Sequence, residues 1–235
     1  MQRSLSMAED RLMRTRLLLG DTNVLKLQNA TVVVVGCGAV GSYAVEALAR
    51  AGIGHLRLVD FDVVAPSNIN RQLFALQSTV GQKKVLVAQK RLADISPDIK
   101  VEVCDTFLDE SNAHKIIQNA DFVVDAIDSR HSKIALYKAC QSEGVKFISS
   151  MGAALRRDST KVKIDLMKNT SVCPLASFLR QMCKKNQVSM DFPVVYSVET
   201  PAKGRAENRQ MGSLSTITGI FGLTMANYVI NCLTK

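Results

Sequence analysis

Thr31 to Val35 is a β-branched run, fully apolar after Thr31, a pattern suited to a central strand buried on both faces. Ala39 to Ala51 then has helical spacing, closed by Gly52 and Gly54 before a second strand at Leu56 to Asp60. The alternation recurs as helix Lys83 to Asp94, strand Val101 to Cys104, helix Glu110 to Asn119 and strand Phe122 to Ala126. Helix Ser132 to Glu143 and strand Lys146 to Ser150 complete it. This order predicts an α/β fold, a Rossmann-type and mostly parallel sheet flanked by helices on right-handed crossovers. Ahead of the sheet, Glu9 to Leu19 reads as a helix that Gly20-Asp21 ends.

Beyond Met151 the rhythm changes. Lys161 to Leu166 and Val194 to Val198 read as strands that extend the sheet, and Leu175 to Lys184 as a helix. Thr200 to Gly212 is polar, basic and glycine-containing, hence an exposed loop. Leu214 to Leu233 is apolar over helix length but interrupted by Ser215, Thr216, Thr218, Thr224, Asn227 and Asn231. Lipid could not satisfy that polar load, so a final core helix is expected and no membrane insertion. With no repeat and no linker-like segment, residues 1–235 read as a single domain.

Gly36-Cys37-Gly38-Ala39-Val40-Gly41 follows the first strand and opens the first crossover helix. In that context GxGxxG permits a tight turn and presents helix N-terminal amides to phosphate. Asp60 ends the second strand, where a carboxylate can accept hydrogen bonds from ribose hydroxyls. The discrimination between nucleotides lies further on. A dinucleotide dehydrogenase places a nicotinamide where ATP has its outer phosphates and needs no cations there. Arg71 and Lys84 are candidates to stabilise a departing pyrophosphate, and Asp128, beyond strand Phe122 to Ala126, to hold magnesium. Taken singly, Arg71 and Lys84 also read as solvated charges, and Asp128 as an N-cap for the helix near Ser129.

Composition narrows the setting. Apolar residues make up 47% and charged residues 22%, an ordinary globular profile. The first twenty residues carry Arg3, Arg11, Arg14 and Arg16 and no long apolar block, which argues against a secretory signal. Cys37, Cys104, Cys140, Cys173, Cys183 and Cys232 form no CxxC pair, so neither a structural zinc nor a disulfide framework is expected. A reducing, cytoplasmic location follows from that usage. Cys104, Cys140 and Cys232 read as small core residues, and Cys173, before Pro174, as an incidental or exposed loop thiol. The net charge of +9 is uneven: residues 1–150 hold 18 Lys/Arg against 16 Asp/Glu, residues 151–235 hold 12 against 5. A polyanionic partner therefore meets the C-terminal third better, unless the excess is simply a solvated face.

The order of GxGxxG, Asp60-Phe61-Asp62, Ser67-Asn68-x-Asn70-Arg71-Gln72, Gly81-x-x-Lys84 and Ala126-Ile127-Asp128 resembles the ThiF/MoeB/ubiquitin-activating superfamily, whose members adenylate carboxylates. That resemblance implies ATP and magnesium as cofactors. It adds Gly36, Gly38, Ala39, Gly41, Asp62, Ser67, Asn68, Asn70 and Ser129 to Asp60, Arg71, Lys84 and Asp128 as the nucleotide-binding set. It also implies a homodimer in which Arg14, within Arg11-Leu12-Met13-Arg14, reaches the ATP site of the partner subunit. Zinc-binding members carry two CxxC pairs, which this chain lacks. Asp165-Leu166-x-Lys168, Pro174-Leu175-Ala176 and Tyr196-Ser197-x-Glu199 instead resemble the tRNA threonylcarbamoyladenosine dehydratase branch. So does the closing Gly212-Ser213-x-x-Thr216-Ile217-Thr218-Gly219-Ile220-Phe221-Gly222.

By that resemblance residues 1–150 bind the nucleotide and residues 151–235 face the anticodon arm of tRNA. Arg156, Arg157, Lys161, Lys203, Arg205 and Arg209 are the expected phosphate contacts. Glu199 stands either near the substrate or in edge-strand packing. Whether a cysteine desulfurase or sulfur-carrier protein docks, and whether a monovalent cation orders the C-terminal half, is left open. The alternative within the superfamily is adenylation of a small ubiquitin-like sulfur carrier's C-terminus, against which the missing zinc cysteines count. A non-catalytic binding subunit would have no use for Gly36, Asp60, Arg71, Lys84 and Asp128 together.

Overall fold

Four consecutive valines fix the centre of the molecule. In the computed structural model, which describes residues 10–202 and 211–235, they form strand β1 (Thr31–Val35). Val32 and Val34 pack into one hydrophobic layer and Val33 and Val35 into the other. Strands β2 (His55–Val59), β3 (Lys100–Cys104), β4 (Phe122–Asp125), β5 (Phe147–Ser150), β6 (Val162–Leu166) and β7 (Pro193–Ser197) complete a seven-stranded sheet. Its order is β3-β2-β1-β4-β5-β7-β6. Every neighbouring pair is parallel except β6 with β7, where Ile164 lies opposite Val195.

The helices cover both faces, as parallel crossovers require. α3 (Gly41–Ala51), α4 (Lys84–Ile95) and α8 (Ser215–Leu233) pack on the Val32 and Val34 side. α5 (Ala113–Ile117), α6 (Arg130–Ser142) and α7 (Pro174–Lys185) pack on the other. α8 is long and apolar enough to cross a membrane by length and composition. Its Ile217, Phe221, Met225, Ala226 and Val229 side chains are instead buried in the core, so it is a core helix.

Two helices differ from the pattern read in the sequence. Gly20, at a φ of 81°, does end α1 (Met13–Leu19), but Asp21 starts a further helix, α2 (Asp21–Asn29). Val24 and Leu27, three apart, bury its inner face. The helix expected over Glu110 to Asn119 shrinks to α5, because the preceding side chains serve a turn. Asp109 Oδ1 accepts from Ser111 N at 2.8 Å, and Asn112 Oδ1 accepts from Asp109 N at 3.0 Å.

Candidate functional site

The strand order reverses between β1 and β4, and a cavity of about 670 Å³ opens there at the strands' C-terminal ends. Open α/β sheets hold their ligands at such a point, and the volume suits a small organic molecule. The turn after β1 is shaped by backbone proximity. Gly36 has a φ of 93°, and a Cβ on it would stand 2.6 Å from the Ala126 carbonyl oxygen. A Cβ on Gly41 would stand 1.7 Å from the Gly36 oxygen, so no side chain fits at either place.

Asp60 ties this turn to the end of β2. Its Oδ2 accepts from Cys37 N at 2.7 Å and its Oδ1 from Asp62 N at 2.8 Å. Each oxygen keeps a lone pair for a further donor. Burial first, and then the Asp60 charge, push the Cys37 thiol well above its ordinary value, so it stays protonated beside the turn. Lys84, at the start of α4, is buried and donates from Nζ to Asp62 Oδ2 at 2.8 Å. Arg71 is held by bonds from its guanidinium to the Ser67 carbonyl at 2.7 Å and Asn70 Oδ1 at 2.9 Å.

Of the expected set, Gly36, Gly38, Ala39, Asp60, Asp62, Ser67, Arg71, Lys84 and Asp128 line the cavity. Five do not line it, and four of these support the site from behind. Gly41 closes the turn, Asn68 Oδ1 accepts from Ala65 N at 3.1 Å, and Asn70 Nδ2 donates to the Ser213 carbonyl at 3.1 Å. Ser129 caps α6, its hydroxyl accepting from Ser132 N at 3.5 Å. The helix therefore does not use Asp128 as its cap, and that carboxylate stays exposed at the cavity. The fifth, Arg14, is exposed on α1, outside the lining.

Beneath the cavity lies a polar network that periodicity did not flag. Asp125 and Lys133 have no exposed surface. Lys133 Nζ donates to Asp125 Oδ2 at 2.8 Å, to Ser149 Oγ at 3.3 Å and to the Ser150 carbonyl at 2.9 Å. Ser149 gives its one proton to Asp125 Oδ2 at 2.5 Å, so Tyr137, 2.6 Å from Ser149 Oγ, must donate to it. Burial, and next the Asp125 charge, push the Tyr137 phenol well up and keep it a neutral donor. Asp125 Oδ1 also accepts from Ile127 N at 3.1 Å, which fixes the segment leading to Asp128. A signal was present in the sequence: Lys133 falls on one helix face with Leu136, Tyr137 and Cys140, where a cation must find a buried partner.

Three expectations about the cysteines and the basic residues need correction. Cys173 is 2% exposed at the start of α7 and lines the cavity, so it is no exposed loop thiol. Cys104 and Cys232 are only partly buried, being at an outer strand's end and a helix's last turn. Arg156 is 3% exposed and lines the cavity, which removes it from the exposed basic surface. Arg157 and Lys161 are exposed, as expected, while Lys203, Arg205 and Arg209 lie outside the described residues. Glu199 receives an assignment. Its carboxylate accepts from Arg157 N at 3.0 Å and Asp158 N at 3.0 Å, clamping the segment after β5 to the end of β7. Those two amides, Asp158 first, hold its carboxyl below the usual range. Thr106, Phe107 and Leu108, beyond β3, form the opposite wall, where Phe107 meets Phe61 edge-on at 5.1 Å.

The arrangement is similar to solved structures. The E. coli tRNA N6-threonylcarbamoyladenosine dehydratase in complex with AMP superposes with a TM-score of 0.91 at 30% identity, covering 98% of this chain and 97% of that one. The same enzyme in complex with ATP gives 0.89 at 31% identity, covering 95% and 93%. The Bacillus subtilis tRNA threonylcarbamoyladenosine dehydratase is 37% identical over 94% of both chains. The sequence model of the ThiF family matches residues 10–235, and the chain belongs to that family.

Proposed function

We propose that this chain is an ATP-dependent tRNA threonylcarbamoyladenosine dehydratase. The observation that carries the reading is the cavity at the β1/β4 reversal, with its glycine turn, Asp60, paired Lys84, Arg71 and exposed Asp128, in a chain 37% identical to such an enzyme over 94% of its length. Adenosine lies over the β2 and β3 ends, its ribose hydroxyls donating to Asp60 and its base against Phe61, Phe107 and Leu108. The phosphates run along the glycine turn toward Arg71 and Lys84. Residues 1–150 are thus the nucleotide half and residues 151–235 the half that meets substrate and RNA.

The substrate's threonyl carboxylate attacks the α-phosphorus, and the bond from that phosphorus to the α,β-bridging oxygen breaks with release of pyrophosphate. The carbamoyl oxygen of the same side chain then attacks the acyl-adenylate carbon. AMP departs with one former carboxylate oxygen, a ring closes, and the net change is loss of water. The chain's own work is positioning and charge stabilisation, with no thiol ester. Arg71 and Lys84 take up the charge that develops on pyrophosphate. Asp128 offers a hard oxygen ligand on the phosphate side, which fits magnesium, an ion bound through one or two carboxylates plus phosphate oxygens. Magnesium so placed would supply charge neutralisation on the phosphates.

The carboxylate-adenylating reading over hydride transfer is tested by calorimetry. ATP with magnesium should bind and NAD should not, and NAD binding at micromolar levels without ATP binding would overturn it. The RNA meets the basic C-terminal third, and the active form is a cytoplasmic two-fold dimer. Support for the dimer is the outward face of α1, where Leu17 and Leu18 are 76% and 82% exposed beside Arg14.

A further inference from the structure

Arg156 is a buried cation that the segment after β5 brings to the cavity. Its residue is 3% exposed, it lines the cavity, and its Nε is a buried donor without a hydrogen-bond partner among the described residues. An unpaired buried donor on a charged group is costly, and such a cost persists where a ligand removes it. The other cations on the lining are already engaged. Lys84 is paired with Asp62, Arg71 with Ser67 and Asn70, and Arg130 lies 4.4 Å over the Phe178 ring.

The segment that carries Arg156 is held rigidly. Leu155 sits at a φ of 59°, a backbone state a branched side chain rarely adopts. Its amide donates to the Gly212 carbonyl at 2.9 Å, and its own carbonyl accepts from Ala202 N at 2.8 Å. Immediately after Arg156, Glu199 grips the amides of Arg157 and Asp158. The strain falls next to a preorganised guanidinium, the pattern of a ligand clamp.

We propose that Arg156 binds the carboxylate of the substrate's threonyl group and delivers it to the α-phosphorus, with Glu199 as the positioning residue that fixes the Arg156 segment. The ligand is an anionic carboxylate because the outer phosphates already have Arg71 and Lys84 among the lining cations. A planar guanidinium matches the two carboxylate oxygens. The assignment rests on the dehydratase reading above.

The test uses the full-length protein and tRNA with or without the threonylcarbamoyl group, measuring binding, turnover and ATP affinity. The parent should bind modified tRNA more tightly than unmodified tRNA. Arg156→Met should abolish most of that preference, raising KM for modified tRNA by about tenfold to a hundredfold, the range for one charged hydrogen-bonded pair. ATP affinity should stay unchanged, and Arg156→Lys should restore part of the preference. Glu199→Gln should raise KM in the same direction by a smaller factor, whereas a merely structural role would move ATP affinity and melting alone. A measurement on the parent protein guards against misfolded variants: modified tRNA whose threonyl carboxylate is a methyl ester should bind no better than unmodified tRNA. Weaker ATP binding by Arg156→Met with the tRNA preference intact would overturn the proposal and make Arg156 a phosphate ligand. A parent that forms no AMP with modified tRNA would overturn the dehydratase reading itself, which is a separate outcome.

Discussion

Lys133 reaches Asp125, Ser149 and the Ser150 carbonyl from one buried ammonium group, and so joins the ends of β4 and β5 under the cavity. Replacing it by methionine keeps most of the volume and strands a buried carboxylate, which costs about 3–5 kcal/mol. The thermal midpoint should fall by roughly 10 °C. A variant melting with the parent would mean that Asp125 is not held as described. The cysteines make the opposite prediction. Burial pushes the Cys183 thiol up to about 11, and Cys173 is buried at the cavity wall, so neither is placed as a nucleophile. Cys173→Ser should keep most of the activity, and a thousandfold loss with the fold intact would point to a covalent step. Glu199 carries a pH signature. Its folded pKa is lowered, so its contribution to stability is present above its unfolded value of about 4.3 and is lost as pH falls through the folded value. The stability gap between the parent and Glu199→Gln should be visible at pH 7 and close in acid; a gap unchanged at pH 3 would contradict the clamp.

At the scale of elements, β1 was legible because a β-branched run with both faces apolar has few other solutions, and β1 spans the residues expected. α2 and the short α5 were less so. A glycine that ends one helix does not forbid the next, and Asp109 and Asn112 spend their side chains on a turn rather than a helix. α1 buries none of its own residues and presents Leu17, Leu18 and Arg14 outward. If Arg14 completes the ATP site of the partner subunit, mixing Arg14→Ala protein with Lys84→Ala protein should restore activity, since one site of each heterodimer would be intact. Absence of rescue despite demonstrated subunit exchange would remove Arg14 from the site. Arg71→Ala should slow adenylation by roughly a hundredfold or more, the scale for losing one preorganised charge stabiliser.

For the whole molecule, the glycine turn, Asp60, Arg71, Lys84 and Asp128 were legible because each sits at a strand end or crossover that periodicity could place. Lys133 was not, because Asp125 and Ser149, on β4 and β5, are brought side by side only by the sheet. Nor was Glu199, whose amide partners at Arg157 and Asp158 belong to a loop distant in sequence, nor the burial of Arg156, which charge counting reads as surface. The basic excess of residues 151–235 includes the exposed Arg157 and Lys161. If these meet tRNA phosphates, replacing both by alanine should weaken binding for all tRNAs alike. It should also flatten the dependence of log affinity on log salt by roughly 0.7 to 0.9 per contact. An unchanged slope would make that face merely solvated. The central claim, adenylation of the substrate carboxylate, is tested most directly by following its oxygen. Modified tRNA bearing heavy oxygen in the threonyl carboxylate is incubated with ATP and the protein. The predicted result is one heavy oxygen in AMP and a nucleoside lighter by one water. Unlabelled AMP alongside the dehydrated nucleoside would contradict it.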